Sequence, residues 1–368
     1  MRKNLLILIL ILLVYNTTLM ANPMQSLRSP NNMIELVINQ GPKHITAIIK
    51  YKDKTVIPEI RFGLQEQNQT FHDNIKCLGF SKKAVIHEQY TAIHGKRSFC
   101  SNNGNTFIMN LENSQKKKLD IEFRVYNDGV CFRYVLSDSQ TDSLRFINEF
   151  TTYRIHQEAD HWMQKYIPHY EGDFPHERGN ISQGEWGYPA LVHYNNCWAL
   201  LTEANNNRNY CATHLTNVNH NELYEVTYPH KEEGNGIGST YSTALSPWTS
   251  PWRVIILGEL KNIVESTLVE DVSDPCLLTE TDWIQPGPAS WIYWAYNHGT
   301  KDYKTCCEYV DLAATMHWKY VLFDWEWDQM QNGGTLSDAA RYATSKGIKP
   351  LIWYNSGGKH NRVLSTPR

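Results

Sequence analysis

Apart from Leu5 to Val14, the chain has no apolar run approaching the ~20 residues that a helix needs to cross a membrane, so nothing beyond the N-terminus reads as a helical span. Eight cysteines are present, Cys77, Cys100, Cys131, Cys197, Cys211, Cys276, Cys306 and Cys307, but none stands in the C-x-x-C spacing of a zinc ribbon. Two readings of them stay open: a disulfide framework, or mostly unpaired thiols serving as small buried hydrophobes at apolar strand and helix positions. No His-x-x-x-His and no local His/Asp cluster marks a metallohydrolase helix. No glycine-rich phosphate loop follows Ser290 to Tyr296, the first strand of the C-terminal segment, which argues against a dinucleotide-binding sheet. The net charge is −3, with acidic and basic residues interspersed. Without a basic stripe to meet phosphates, nucleic acid is excluded as a partner.

The N-terminus has its own layout. Arg2 and Lys3 precede the apolar Leu5 to Val14, and a polar stretch from Asn16 leads to Met20-Ala21-Asn22. This is the three-part plan of a secretory signal peptide, residues 1–21, and it predicts an exported protein, periplasmic or secreted. A retained signal anchor is the alternative, because Leu19 stands where cleavage prefers a small residue. Twelve Trp and 21 Tyr are many for this length. Flat rings suit sugar faces, but they also fill cores.

From Met33 to about Leu257 the periodicity is that of strands. Met33 to Ile38, Ile45 to Tyr51 and Thr55 to Ile60 are rich in β-branched residues, with a turn at Lys52-Asp53-Lys54. One hairpin is predicted from Leu119 to Leu136 through Asn127-Asp128-Gly129, with the positive φ angles that Asp-Gly favours. A second runs from Ala190 to Thr202 through Asn195-Asn196. Many short strands without helical patterning imply a large antiparallel sandwich, here assigned residues 22–283.

After Pro286-Gly287-Pro288 the pattern changes. Ser290 to Tyr296, Tyr320 to Trp325 and Lys349 to Asn355 read as strands about 30 residues apart, the length of one β-α unit. Helices are predicted over Asp302 to Met316 and from a Ser337 cap to Lys346, with Gly347 as the stop. Such units build a parallel sheet, either an open doubly wound one or an eight-stranded barrel. Polar groups at the strand ends, Asn297-His298, Asp324 to Asp328 and Asn355-Ser356, favour the barrel, which gathers its active site there. Residues 284–368 are therefore read as the first three β/α units of an incomplete (β/α)8 barrel. The expected fold class is multidomain, β plus α/β.

Asp324-Trp325-Glu326-Trp327-Asp328 sets three carboxylates among two indoles. Carboxylates accept hydrogen bonds from sugar hydroxyls and indoles cover the apolar ring face. On an ideal strand Asp324 and Glu326 share a side. A solvated loop with buried tryptophans fits the same residues. The blocks Ala289 to Trp294, Phe323 to Asp328 with Asn332-Gly333-Gly334, and Lys349 to Ser356 resemble the first three barrel strands of glycoside hydrolase family 97. Phe123 to Tyr134 and Leu201-Thr202-Glu203-Ala204 resemble that family's N-terminal super-sandwich.

The resemblance implies a calcium-dependent hydrolase (Ca2+) of terminal α-linked galactosides or glucosides, with an oligosaccharide as substrate. The Asp-Trp-Glu-Trp-Asp wording is more similar to the retaining, α-galactosidase-like branch. It further implies substrate contacts from Asp324, Trp325, Glu326 and Asn355, and a calcium ligand at Glu203. The retaining pattern takes its nucleophile and its acid/base from positions past the third strand, so they are expected beyond Arg368 and the 368 residues are expected to be inactive alone. The competing expectation is a non-catalytic, carbohydrate-binding sandwich.

Overall fold

The computed structural model describes residues 23–41, 43–137, 143–167, 170–179, 182–219, 222–234 and 239–354. Residues 1–21, read above as a signal peptide, and Asn355 lie outside the described residues. The chain divides into two compact units, the first ending at Pro275 and the second beginning at Cys276, with residues 93–95 and 231–238 grouped with the second.

The first unit is antiparallel throughout. An eight-stranded sheet runs in the order Pro23–Arg28, Ile34–Gln40, Ile45–Tyr51, Lys54–Arg61, Thr152–Arg154, Leu223–Thr227, His214–Thr216, Glu185–Trp186. An eleven-stranded sheet centres on Cys197–Ala204, Trp252–Gly258, Gly129–Leu136 and Lys118–Tyr126, and a four-stranded sheet completes the unit. Alternation decides which face is buried: Ile34, Leu36 and Ile38 point inward, as do Ile45, Ala47, Ile49 and Tyr51 on the next strand. One apolar cluster joins the two large sheets. Phe62 sits at that seam, its ring edge-on to Phe123 and Phe132 at 5.4 and 5.2 Å. Each such fully buried side chain contributes about 1.5–3 kcal/mol.

Trp252–Gly258 is buried on both faces, in keeping with a run that is apolar except for Arg253. Ile255 and Leu257 enter the main core. Trp252, Val254 and Ile256 enter a second cluster with Ile263 and Leu268 from the short helices that follow. Trp252 is also held between two guanidinium groups, Arg124 and Arg133, at 4.6 and 4.3 Å from its ring centre.

The hairpins reveal their chemistry. Tyr194 pairs with Cys197 across Asn195-Asn196, both at positive φ (52° and 57°), as the residue types require. Lys52 and Asp53 turn in the same way, so Lys54 is already strand. The first predicted hairpin forms, but its glycine has another purpose. Tyr126 pairs with Gly129, leaving Asn127-Asp128 as the turn, and none of the three takes a positive φ. A Cβ on Gly129 would lie 2.5 Å from the Ile255 carbonyl oxygen and 2.5 Å from Leu268 Cδ2. The position needs close backbone approach rather than left-handed freedom.

The second unit has three parallel strands, Ala289–Trp291, Tyr320–Phe323 and Lys349–Ile352, in that order. Helices Tyr303–Thr315 and Leu336–Ser345 connect them, and one apolar cluster, including Val310, Ala313, Val321, Phe323, Ala339 and Ala343, binds strands and helices together. All three strands are shorter than their sequence patterns: the first stops at Trp291, the second at Phe323 and the third at Ile352. In the first, Ala295 and Tyr296 donate back to the Ile292 carbonyl and start a turn. The second helix is capped by Thr335, not Ser337: Thr335 Oγ1 accepts from the Asp338 amide and the Asp338 carboxylate accepts from the Thr335 amide. Asp302 caps the first helix through the Thr305 amide at 2.8 Å.

All eight cysteines are free thiols. Cys100, Cys131, Cys197 and Cys306 are buried, and Cys276 is exposed. No helix among the described residues is long and apolar enough to cross a membrane.

Candidate functional site

In the second unit the polar groups gather where the parallel strands end. Asp324 directly follows the middle strand and is 5% exposed. One of its carboxylate oxygens accepts from the indole N–H of Trp291, at the end of the neighbouring strand, and the other from the amide of Trp325. Both donors are neutral, so the carboxylate is held in place without a cation.

Glu326 does not share a strand face with Asp324. The strand has ended, and Glu326 takes a left-handed backbone (φ 66°) at the start of a short 3-10 turn, Trp327–Gln329. That turn directs Glu326 toward the loop after the first strand, where it meets Lys301 Nζ and His298 Nδ1, each at 2.6 Å. Burial alone would raise its pKa, but Lys301 and His298 outweigh burial and hold the carboxyl below its ordinary value. Asp324 is thus set among neutral donors and Glu326 beside the Lys301 ammonium and the His298 ring.

Trp325 donates its indole N–H to the Asn297 carbonyl at 2.9 Å, and its ring lies 5.2 Å from the His298 imidazole. Trp327 likewise donates to the Trp353 carbonyl at 2.9 Å. The two loops are tied further: Gln331 donates to the Lys301 carbonyl, the Tyr303 amide donates to the Gln331 carbonyl, and Asn332 donates to Asp302 at 2.5 Å. Around this framework Trp291, Tyr293 and Trp294 remain exposed, the first two stacked with ring centres 5.7 Å apart. Asp324, Trp325 and Glu326 are therefore brought together, although on a strand end and a loop. His298, Lys301 and Trp291 complete the arrangement; their pairing with Asp324 and Glu326 carries no signal in spacing, because it joins residues 25 to 33 positions apart.

Glu203 belongs to the first unit and has different surroundings. Arg253, fully buried, grips Glu149 through Nε and Nη2 at 2.8 and 2.5 Å and Glu203 through Nη1 at 2.5 Å. Burial opposes the guanidinium's charge, yet Glu149 and Glu203 outweigh it and keep the group protonated. Glu203 also accepts from Asn206 Nδ2 and from the Thr213 amide and hydroxyl. Glu149 accepts from Thr151 and Tyr210. A calcium ion takes six to eight oxygens at about 2.3–2.6 Å. Among the described residues Glu203 supplies one carboxylate whose lone pairs already face four donors, one of them cationic. Among the described residues Glu203 by itself does not make up such a shell, and its charge is met by Arg253.

The comparisons agree with this architecture. The model of the family described as Glycosyl-hydrolase 97 N-terminal matches residues 27–275. The chain belongs to glycoside hydrolase family 97. It is 24% identical over 335 residues to a "Probable retaining alpha-galactosidase" of Streptomyces bingchenggensis, covering 88% of this chain and 50% of that protein. It is 22% identical over 393 residues to a "Retaining alpha-galactosidase" of Bacteroides thetaiotaomicron, covering 94% of this chain and 58% of that one. Among solved structures, a beta-arabinopyranosidase aligns with TM-score 0.84 at 26% identity, covering 92% of this chain and 57% of that one. A family 97 enzyme from Pseudoalteromonas sp., in complex with acarbose, aligns at 0.76 with 18% identity, over 89% of this chain and 53% of that one, which speaks to fold alone. The chain spans about half the length of the curated relatives it matches.

Proposed function

We propose that this chain is the N-terminal sandwich and first barrel segment of an exported glycosidase that removes terminal α-linked galactose, with glucosides as the second substrate class. The carrying observation is the Asp324 carboxylate held by the Trp291 and Trp325 N–H groups at the end of a parallel strand, beside exposed indoles. In this reading the three parallel strands begin a (β/α)8 barrel, whose C-terminal strand ends form the substrate pocket. Asp324, already oriented, accepts a sugar hydroxyl; the exposed aromatic rings cover the apolar face of the sugar. Glu326 positions the loop through Lys301 and His298. Asn355, outside the described residues, is proposed as a further substrate contact on the family resemblance alone. The galactose preference rests on two relatives named as retaining α-galactosidases and on the arabinopyranosidase, because a β-L-arabinopyranoside is an α-galactoside without its hydroxymethyl group.

The 368 residues by themselves are proposed to be inactive, because the family pattern takes its nucleophile and acid/base from later strands. Calcium remains part of the proposal only for the longer protein, where Glu203 would supply one oxygen after giving up donors such as Asn206. Export is tested by the mature N-terminus, expected near Asn22. The function is tested by kinetics of a protein extended through a complete barrel on aryl α-galactosides, α-glucosides and β-L-arabinopyranosides. Asp324→Asn is expected to lower kcat/KM on the preferred substrate by at least about tenfold, equivalent to about 1.4 kcal/mol of transition-state binding. Unchanged kinetics would remove Asp324 from the site, and hydrolysis by the 368 residues alone would overturn the inactivity.

A further inference from the structure

We propose that Glu185, His214 and His230 form a zinc-type divalent metal site on the outer face of the eight-stranded sheet. The three residues are 16 to 45 positions apart, and adjacent strands bring them together. Glu185 lies on the last strand of the sheet, opposite Thr216 of the next one. Thr216 and His214 are two residues apart on that strand and share a face, so Glu185 emerges on the same side as His214. His214 in turn lies opposite Thr227 on the third strand, and the chain leaving that strand carries His230 back over the same face. The intervening residues Trp186, Leu215 and Val226 point to the opposite, buried side.

The ligand atoms converge. One Glu185 oxygen lies 2.7 Å from His230 Nε2, the other 3.7 Å from His214 Nε2, and one donor atom from each residue lies within 4.8 Å of the other two. A tetrahedral zinc with bonds of about 2.0–2.2 Å needs donor atoms roughly 3.4 Å apart, so small side-chain adjustments close the site. His214 is buried and its ring is fixed face-to-face on Tyr166, 3.7 Å away and 5° from parallel. Glu185 and His230 are partly exposed, which leaves the ion a route in and a fourth position for water.

Two imidazoles and one carboxylate suit zinc, whereas calcium prefers oxygen alone. This site is therefore chemically distinct from a calcium site. The second cluster, His44, His72 and Asp73, also has donor atoms within 4.8 Å, but its carboxylate is 64% exposed and stands 3.6 and 3.9 Å from the two rings. It serves as the internal control. Bound zinc would tie three short strands, of two to five residues, into one edge of the sandwich.

The test uses the full chain, stripped with chelator and titrated with zinc chloride against a chromophoric zinc indicator. One equivalent is expected to bind with micromolar or tighter affinity and to raise the thermal midpoint. Cobalt in its place is expected to give the intense visible absorption of a four-coordinate ion. Glu185→Gln and His230→Ala should each weaken zinc binding at least tenfold with an unchanged circular dichroism spectrum, while Asp73→Asn leaves it unaltered. The proposal is overturned if micromolar zinc neither competes with the indicator nor shifts the midpoint, if both variants bind as the parent does, or if Asp73→Asn is the change that abolishes binding.

Discussion

The two units treat polar residues in opposite ways. In the sandwich, a charged network is sealed inside: Arg253 and Glu149 have fully buried side chains, and donors surround each carboxylate. In the parallel unit, helices cover one face of the sheet and the other is left bare. Trp291, Leu322 and Leu351 are aligned across the three strands on that bare face, with Trp291 40% and Leu351 42% exposed. Parallel sheets are ordinarily buried on both faces. The difference teaches that a carboxylate's surroundings set its partners: Glu203 is an anion closing a buried charge, whereas Asp324 is a buried acceptor oriented by two neutral N–H groups at a strand end.

The comparison breaks most sharply at Arg253. Arg253→Met removes the cation and leaves Glu149 and Glu203 buried without compensation, so the sandwich should lose about 3–5 kcal/mol, read as a lower urea midpoint. A loss below about 1 kcal/mol would mean that the network is not the sealed structure described.

Gly129→Ala tests close approach in the same unit. The new Cβ meets a backbone oxygen that cannot swing aside, and a loss of about 1–3 kcal/mol is expected in the same unfolding assay. Neutral behaviour would return the glycine to a simple turn role.

Limited proteolysis compares the units directly. Cleavage is expected first between residues 276 and 354, with the sandwich surviving as the resistant fragment, because local stability follows packing. Early cuts within the paired strands of the sandwich would reverse the ranking.

The smallest effect is expected at Glu326. Its folded pKa is depressed, so its stabilising contribution is complete above the ordinary carboxyl value of about 4.3 and is lost as pH falls through the lower folded value. Glu326→Gln should cost less than about 1 kcal/mol near neutral pH, and the gap from the parent should close in acid. A gap that widens as pH falls would contradict the Lys301 and His298 pairing.

Much of the architecture is legible from local chemistry. Strand alternation around Ile34 and Ile45, the Asn195-Asn196 turn and the β-α spacing after Pro288 each depend on neighbours a few residues away, so the sequence carries them. The strand pattern from Ser290 to Tyr296 overran the real strand because aromatic residues suit both a strand and the exposed turn that follows it. Thr335 displaced Ser337 as the cap because the reciprocal bonds with Asp338 need a spacing of three.

The sequence by itself determined the antiparallel sandwich, the parallel β-α segment and the run of carboxylates and indoles from Asp324 to Asp328, since each is set by periodicity or by adjacent residues. Only the tertiary structure decided that Trp291 holds Asp324, that Lys301 and His298 take Glu326, that Arg253 occupies Glu203, and that Glu185, His214 and His230 meet. Those partners lie 16 to 50 residues apart and are joined by strand register and loop packing, so the distances that fix their charge and orientation exist only once the sheets have formed.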